Sequence, residues 1–133
     1  TIDAFVSIQK DVIIGDNTFP TGMCINLLVV KDGTRPDNQM TASSEYSDNN
    51  RAARARLDIV KQGTRTGGWS ARNNNKEQWI QVALGKLQSV SGIILQGRQD
   101  ADQWVTEYQV EYSTDGNVWQ YVHDDKGEDM VRT

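Results

Sequence analysis

One segment constrains the fold of this chain more than any other, the alternating run of residues 105–112. Its apolar residues Tyr108, Val110 and Tyr112 fall on one face of an extended backbone, and the acidic and amide residues between them fall on the other. A period of two is typical of a strand that buries one face. An Asp-Gly turn follows, and the apolar run 118–122 then returns. The segment therefore predicts an antiparallel hairpin.

Two more apolar runs precede the hairpin and extend the same pattern. Residues 78–84 place Ile80, Val82 and Leu84 on one face. Residues 90–96 predict a third strand, in which the run 93–95 is apolar on both faces, as in a strand that is covered on each side. No heptad or internal repeat is present in the sequence. These patterns predict an all-β protein.

Three of the tryptophans border the ordered segments. Trp69, Trp79 and Trp119 each carry a large ring with one polar atom, which suits the edge of a core. We predict that all three are core residues.

Composition limits the classes of protein to which the chain can belong. A length of 133 residues suits one domain, and 37% hydrophobic with 24% charged residues is typical of a globular fold. The longest apolar run, residues 25–30, is much too short to cross a bilayer. A net charge of −4 argues against a nucleic-acid partner, because phosphate binding depends on many Lys and Arg residues.

Five blocks of sequence follow one another in the order of a known domain family. The blocks are Asp37-Asn38-Gln39-Met40-Thr41-Ala42-Ser43-Ser44, Ala55-Arg56-Leu57, Trp69-Ser70-Ala71, Gln78-Trp79-Ile80-Gln81-Val82-Ala83-Leu84-Gly85, and a last block from Leu95-Gln96-Gly97-Arg98 through Tyr112-Ser113 to Asp115-Gly116 and Trp119. Over residues 24–121 this order resembles the discoidin domain, also called the coagulation factor V/VIII type C domain. The resemblance implies an antiparallel β-sandwich of jelly-roll type, with a ligand site made by loops at one end.

The resemblance also implies where the domain lies in the chain. We predict a discoidin-like domain over residues 37–133, preceded by an N-terminal extension or flanking strands over residues 1–36. Within that first part, the runs 5–8 and 11–15 predict short strands.

Discoidin domains have further strands after the one that carries the Trp119 motif, and the last of them carries a cysteine that commonly pairs with one at the position of Cys24. The resemblance thus implies a sandwich that lacks its C-terminal strands in this chain. We expect that the polypeptide continues past Thr133, or that another chain or residues 1–30 fill the vacant strand positions, because an open sandwich exposes strand edges and apolar surface.

Two loops carry the candidate ligand contacts of what the resemblance implies is a non-catalytic extracellular module, secreted or at the cell surface. Residues 46–51 correspond to a binding spike of the family, and residues 97–104 combine one cation, two carboxylates and an aromatic ring. The candidate ligand-binding residues are Tyr46, Asp48, Asn49, Arg51, Arg98, Asp100, Asp102 and Trp104.

The residue types in these loops match the chemistry of sugars. Adjacent sugar hydroxyls pair with Asp and Asn acceptors and Arg donors, and the C–H face of a sugar lies on an aromatic ring. We therefore predict lectin-like binding of glycans or glycoproteins, or cell adhesion. Two alternatives stay open within the site: Arg98 could pair internally with a carboxylate, and Trp104 could cap the core.

Two other kinds of function stay open for the whole module. Binding to a phospholipid surface is disfavoured, and membrane insertion is not expected, because the spike presents Ser, Asp and Asn where membrane-binding relatives carry bulky apolar residues. A protein-binding or structural role, with other chains of a larger assembly as partners, is the third hypothesis.

Catalysis and metal binding have weak support in the sequence. His123 is the only histidine and lies about a hundred residues from Cys24, so a Cys/His pair rests on composition alone. Asp100 and Asp102 lie beside Arg98 and fit ion pairing better than acid–base catalysis. We predict no enzyme and no cofactor. Calcium, which some similar discoidin-type lectins hold, has weak candidates at Asp48, Asp100 and Asp102, without a recognised ligand spacing.

Overall fold

The structure is a computed structural model, and it describes residues 5–8, 13–15, 27–28, 36–85, 92–105, 108–123, 127 and 131–132. Within these residues the chain forms nine strands and no α-helix. The strands are β1 Phe5–Ile8, β2 Ile13–Gly15, β3 Leu27–Leu28, β4 Met40–Ala42, β5 Ile80–Ala83, β6 Gly92–Ile94, β7 Tyr108–Ser113, β8 Gln120–Tyr121 and β9 Val131–Arg132. Three single-turn 3-10 helices lie at Asp37–Gln39, Asp48–Asn50 and Ala52–Arg54.

All described strand pairs are antiparallel, and they form two sheets. The larger sheet has the order β4-β5-β1-β7-β8, and β9 also pairs with β7. The smaller sheet has the order β3-β2-β6. The prediction of an all-β antiparallel protein is confirmed.

The N-terminal segment contributes to both sheets. Strand β1 lies between β5 and β7, with Val6 opposite both Val82 and Tyr112. Residues 5–8 therefore hydrogen-bond to strands of the later part of the chain, which is one of the arrangements that the sequence left open. The boundary between residues 1–36 and 37–133 remains a prediction, and residues 24 and 133 lie outside the described part.

The predicted hairpin is present as β7 and β8. Its turn depends on Asp115, whose carboxylate accepts hydrogen bonds from the N–H groups of Asn117 at 2.8 Å and Val118 at 2.9 Å. These bonds lower the pKa of Asp115, because they stabilise its charged form. Gly116 follows with φ of 75°, a conformation that favours glycine. An Asp-Gly pair thus closes the turn.

The core follows the predicted alternation along β5. Ile80 and Val82 are buried, as are Leu84 and, on β7, Val110. The same cluster contains Met40, Ala52, Ala55 and Trp69. Burial of each large aliphatic side chain stabilises the fold by about 1.5–3 kcal/mol.

The interpretation of the tryptophans as core residues is right for Trp69 and wrong for Trp79. Trp79 is 37% exposed, because the period of two that buries Ile80 turns the preceding position to the other face. Trp119 is half-buried. No helix in the described residues has the length and apolar composition that crossing a bilayer requires.

Candidate ligand-binding site

A cleft of about 800 Å³ opens among three loops. Its lining comes from the spike loop (residues 46–51), the central loop (residues 59–74) and the Arg98 loop (residues 97–104), together with residue 105. The structure therefore brings together the two loops in which the sequence placed candidate ligand contacts. It adds the central loop, which the sequence reasoning did not assign to the site.

The spike loop is shaped by its own polar side chains. Ser47 accepts a hydrogen bond from the N–H of Asn49 and so caps the short helix Asp48–Asn50. The Ser47 hydroxyl in turn donates to the Asn50 side chain at 2.7 Å. Asn50 is buried, and its amide nitrogen lies 3.1 Å from the hydroxyl of Thr66. The spike is therefore attached to the central loop through Asn50.

Thr66 is the main link between these two loops. Its N–H donates to the carbonyl of Asn49 at 3.0 Å, and its hydroxyl lies within hydrogen-bonding distance of that carbonyl and of the Gly68 carbonyl. Arg54 holds the other side, because its Nε donates to the Thr66 carbonyl and its Nη2 to the Val60 carbonyl, both at 2.6 Å. These long-range bonds fix the central loop against the spike.

The central loop meets the Arg98 loop at two glycines. The N–H of Gln99 donates to the Gly67 carbonyl at 3.0 Å, and the N–H of Gly67 donates to the Asp100 carboxylate at 2.9 Å. A Cβ at Gly67 would lie 2.8 Å from the Cβ of Gln99, and one at Gly68 would lie 3.3 Å from the Cγ of Arg98. The two loops can approach this closely because neither glycine carries a side chain.

We expect Gly67→Ala to push the Arg98 loop away from the central loop. The added methyl overlaps an atom next to the backbone, so the loop must shift, and overpacking of this kind costs about 1–3 kcal/mol. Thermal unfolding measures the cost, and hydrogen exchange at the Gln99 amide reports the separation. Gly63→Ala is the control for steric overlap, because no atom lies near its Cβ position. Its positive φ disfavours alanine, so this variant shows the backbone cost of a Gly→Ala change without a clash. An unchanged Gln99 amide in Gly67→Ala would contradict the close contact.

Arg98 and Asp100 neutralise each other. Nε of Arg98 lies 2.7 Å from Oδ1 of Asp100, and Nη2 lies 3.1 Å from Oδ2, while Nη1 donates to the Gln103 side chain. Both side chains are mostly buried, at 18% and 11% exposed. The guanidinium, together with the Gly67 N–H, lowers the pKa of Asp100 well below its usual range, and the carboxylate raises the pKa of Arg98. Internal pairing of Arg98 is the alternative that the structure shows.

The spike loop holds a second Arg–Asp ion pair, which lies outside the cleft lining. Asp48 and Arg51 bond each other at 2.9 Å across the tip of the spike and are largely exposed. Neither contributes to the lining of the cleft.

Four of the predicted contacts do face the cleft with their hydrogen-bonding or ring groups available. Tyr46 and Trp104 are 69% and 68% exposed, so Trp104 does not cap the core. Asn49 and Asp102 also line the cleft. Among the described residues, the side chains of these four make no hydrogen bond or ion pair.

The central loop supplies two residues that the sequence reasoning missed, Arg72 and Asn73. Both line the cleft and are exposed, and within the described part of the chain their side chains have no partner. The run of three asparagines at 73–75 suggested only a polar turn. The useful signal was an arginine beside it, directly after the Trp69 motif.

No metal centre forms among the described residues. They contain no group of three His, Cys, Asp or Glu side chains placed to hold an ion. Of the calcium candidates, Asp48 pairs with Arg51 and Asp100 with Arg98, which leaves Asp102 as a single carboxylate at the cleft. The calcium prediction stays untested.

Comparison with known proteins agrees with the motif order. The F5/8 type C domain model matches residues 39–133. Hemocytin of Bombyx mori is 36% identical over 104 residues, which cover 78% of this chain and 3% of that protein. Mouse lactadherin is 39% identical over 116 residues, or 81% of this chain and 24% of lactadherin, and mouse retinoschisin is 41% identical over 64 residues, or 47% of this chain and 29% of retinoschisin.

These relatives are much longer than the matched region, and the chain spans less than a third of each. No solved structure gives a significant match. On the family match and the identity to lactadherin, the chain belongs to the F5/8 type C, or discoidin, family of extracellular β-sandwich recognition modules, as its sequence predicted.

Proposed function

We propose that the cleft binds carbohydrate and that the chain acts as a non-catalytic, lectin-like module on glycans or glycoproteins. The observation that carries this proposal is the pair of exposed rings, Tyr46 and Trp104, beside a cleft with unused polar side chains. A volume of about 800 Å³ lies within the range of small-molecule sites, about 300–1,000 Å³.

The free groups of the cleft have complementary roles in this proposal. An aromatic ring, from Trp104 or Tyr46, packs against the C–H face of a sugar. The Asp102 carboxylate accepts hydrogen bonds from sugar hydroxyls, and the Asn49 and Asn73 amides both donate and accept. Arg98 and Asp100 take no part in direct contact and instead hold the loop that carries Asp102 and Trp104.

We expect Trp104→Ala to weaken glycan binding about tenfold, which corresponds to about 1.4 kcal/mol, because it removes an exposed ring and its stacking surface. A glycan array identifies the ligand, and titration of the strongest glycan measures the loss. Val118→Ala is the control, because Val118 is 65% exposed and does not line the cleft. Trp104→Ala that binds with wild-type affinity would contradict the stacking role.

The glycan array also tests whether binding depends on calcium. We propose that binding needs no calcium, so the same glycans should bind in calcium and in EDTA. Loss of binding in EDTA would assign an ion to the site.

A phospholipid surface is the second candidate, and the exposure of Tyr46 and Trp104 is the observation that favours it, since such rings also enter membrane interfaces. Two features rank it lower. The Asp48 side chain in the spike is 89% exposed, and the net charge of the chain is −4. An anionic lipid surface would therefore repel the spike and the chain as a whole. Vesicle sedimentation distinguishes lipid binding from glycan binding.

A third outcome would favour a protein partner: a folded sample that binds no glycan on the array and does not sediment with vesicles.

A further inference from the structure

The cleft contains one cation that no carboxylate of the described chain neutralises. Two arginines line it, Arg72 and Arg98. Arg98 is held by Asp100 in a bidentate pair and by Gln103, so its charge is neutralised and three of its five N–H donors are used. The guanidinium of Arg72 is exposed and has no hydrogen bond or ion pair among the described residues. Arg72 therefore presents an unused positive charge at the lining of the cleft.

The backbone beneath Arg72 is anchored. Its N–H donates to the hydroxyl of Ser44 at 3.0 Å, and that hydroxyl donates to the buried side chain of Gln78 at 2.6 Å. The carbonyl of Ser44 also accepts the indole N–H of Trp69 at 3.0 Å. The start of the Arg72 side chain is thereby fixed to the core, while its guanidinium is left for a ligand.

A second charged side chain of the cleft, which also has no partner in the described part of the chain, restricts what that ligand can be. Asp102 also lines the cleft, and its carboxylate accepts hydrogen bonds from hydroxyls but repels an anion. A small inorganic anion would satisfy Arg72 and leave Asp102 and the rings without a partner. A molecule with an anionic group, several hydroxyls and an apolar ring face satisfies all three kinds of group. An acidic sugar has these features.

We propose that the cleft selects sugars that carry a carboxylate or sulfate group, with Arg72 as the anion contact and Asp102 as an acceptor for neighbouring hydroxyls. The inference rests on the proposed carbohydrate function and adds its substrate class. Arg pairs with carboxylates and sulfates through two parallel N–H donors, and the strength of such a pair suits a discriminating contact.

The test uses an array of matched neutral, uronic-acid, sialylated and sulfated glycans. The wild-type chain should bind the acidic glycans at least about tenfold more tightly than their neutral counterparts, and Arg72→Gln should remove that preference while thermal unfolding stays unchanged. Arg72→Lys should recover part of the preference. Arg65→Gln is the matched control, because it removes the same charge from an exposed position of the central loop that does not line the cleft.

Each outcome separates this inference from the function on which it rests. Equal binding of neutral and acidic glycans, or an acidic preference that survives Arg72→Gln, overturns the inference and leaves carbohydrate binding intact. A blank array with folded protein overturns both. Binding only to phosphatidylcholine vesicles that contain phosphatidylserine, with loss in Arg72→Gln, would assign Arg72 to a lipid headgroup and reject the sugar.

Discussion

Replacing Arg54 by methionine is expected to lower the free energy of unfolding by about 2–4 kcal/mol and to loosen the loops of the cleft. The Arg54 guanidinium is buried and donates to the Thr66 and Val60 carbonyls and to the side chain of Gln62. Methionine fills similar space without any donor. The Thr66 carbonyl then lies in a buried position with no partner from Arg54, and a buried unpaired polar group is costly.

The size of the effect follows from the charge and the burial of this arginine. Burial lowers the pKa of Arg54, and nearby Arg65 acts in the same direction, but a guanidinium stays charged in a protein. Hydrogen bonds to a charged donor are stronger than neutral ones, and Arg54 makes them to two separated carbonyls of one loop. Lysine cannot replace it fully, because one ammonium cannot reproduce the planar fork of donors.

Thermal unfolding measures the loss, and for a chain of this length the expected decrease in Tm is roughly 7–14 °C. Hydrogen exchange tests the local effect: the amides of Thr66 and Gln99 should exchange faster, whereas the amides of β5 should keep most of their protection. Arg65→Met serves as the control, because Arg65 is exposed. A Tm within one or two degrees of wild type, together with unchanged exchange at Thr66, would show that Arg54 does not hold the central loop.

The strands could be predicted from the sequence because the alternation of apolar and polar residues indicates which face of a strand is buried. Ile80, Val82 and Val110 are buried where the period of two places them. The error at Trp79 came from residue type, since a large ring was taken for a core residue against the outward position that the same period assigns to it. The register of β1 between β5 and β7 could not be predicted, because it pairs segments that are far apart in the chain.

The site was predictable only in part, for the same reason. The spike loop was recognised through the family resemblance and the Arg98 loop through its residue types, and an ion pair between Arg98 and Asp100 was foreseeable because only Gln99 separates them. The central loop was missed because its position depends on contacts across long stretches of chain, such as Asn50 with Thr66 and Gly67 with Asp100. Which charges of the described residues pair with one another, and hence that Arg72 is the cleft arginine left without a partner among them, follows from those contacts and from no local pattern.

Replacing Asp100 by asparagine is expected to lower the stability at neutral pH by about 2–3 kcal/mol. The change removes the charge that pairs with Arg98 and weakens the acceptor of the Gly67 N–H. The loss should be smaller than the roughly 3–5 kcal/mol of a fully buried pair, because both side chains keep some contact with solvent. A double-mutant cycle with Arg98→Met should show strong coupling, since either single change already breaks the pair.

The stability of the wild-type chain should also depend on acid through this carboxylate. The pKa of Asp100 in the folded chain is depressed, by Arg98 first and by Gly67 as well, whereas in the unfolded chain it is near the ordinary value of about 3.9. Below about pH 4 the unfolded state therefore binds a proton that the folded state does not, so stability falls as the pH falls. Asp100→Asn cannot titrate, and the gap between the two proteins should narrow as the pH is lowered.

Denaturant unfolding between pH 7 and pH 2, carried out on both proteins, measures this difference. The exposed pair Asp48 and Arg51 in the spike loop gives the matched control. Asp48→Asn removes an Arg–Asp pair whose residues are similarly close in sequence and whose N–O distance, 2.9 Å, is similar. That change should alter stability little at any pH, since solvent screens an exposed pair. If Asp100→Asn and Asp48→Asn had the same small effect, the Arg98–Asp100 pair would not hold the loop, and Arg98 would again become a candidate for direct contact with ligand.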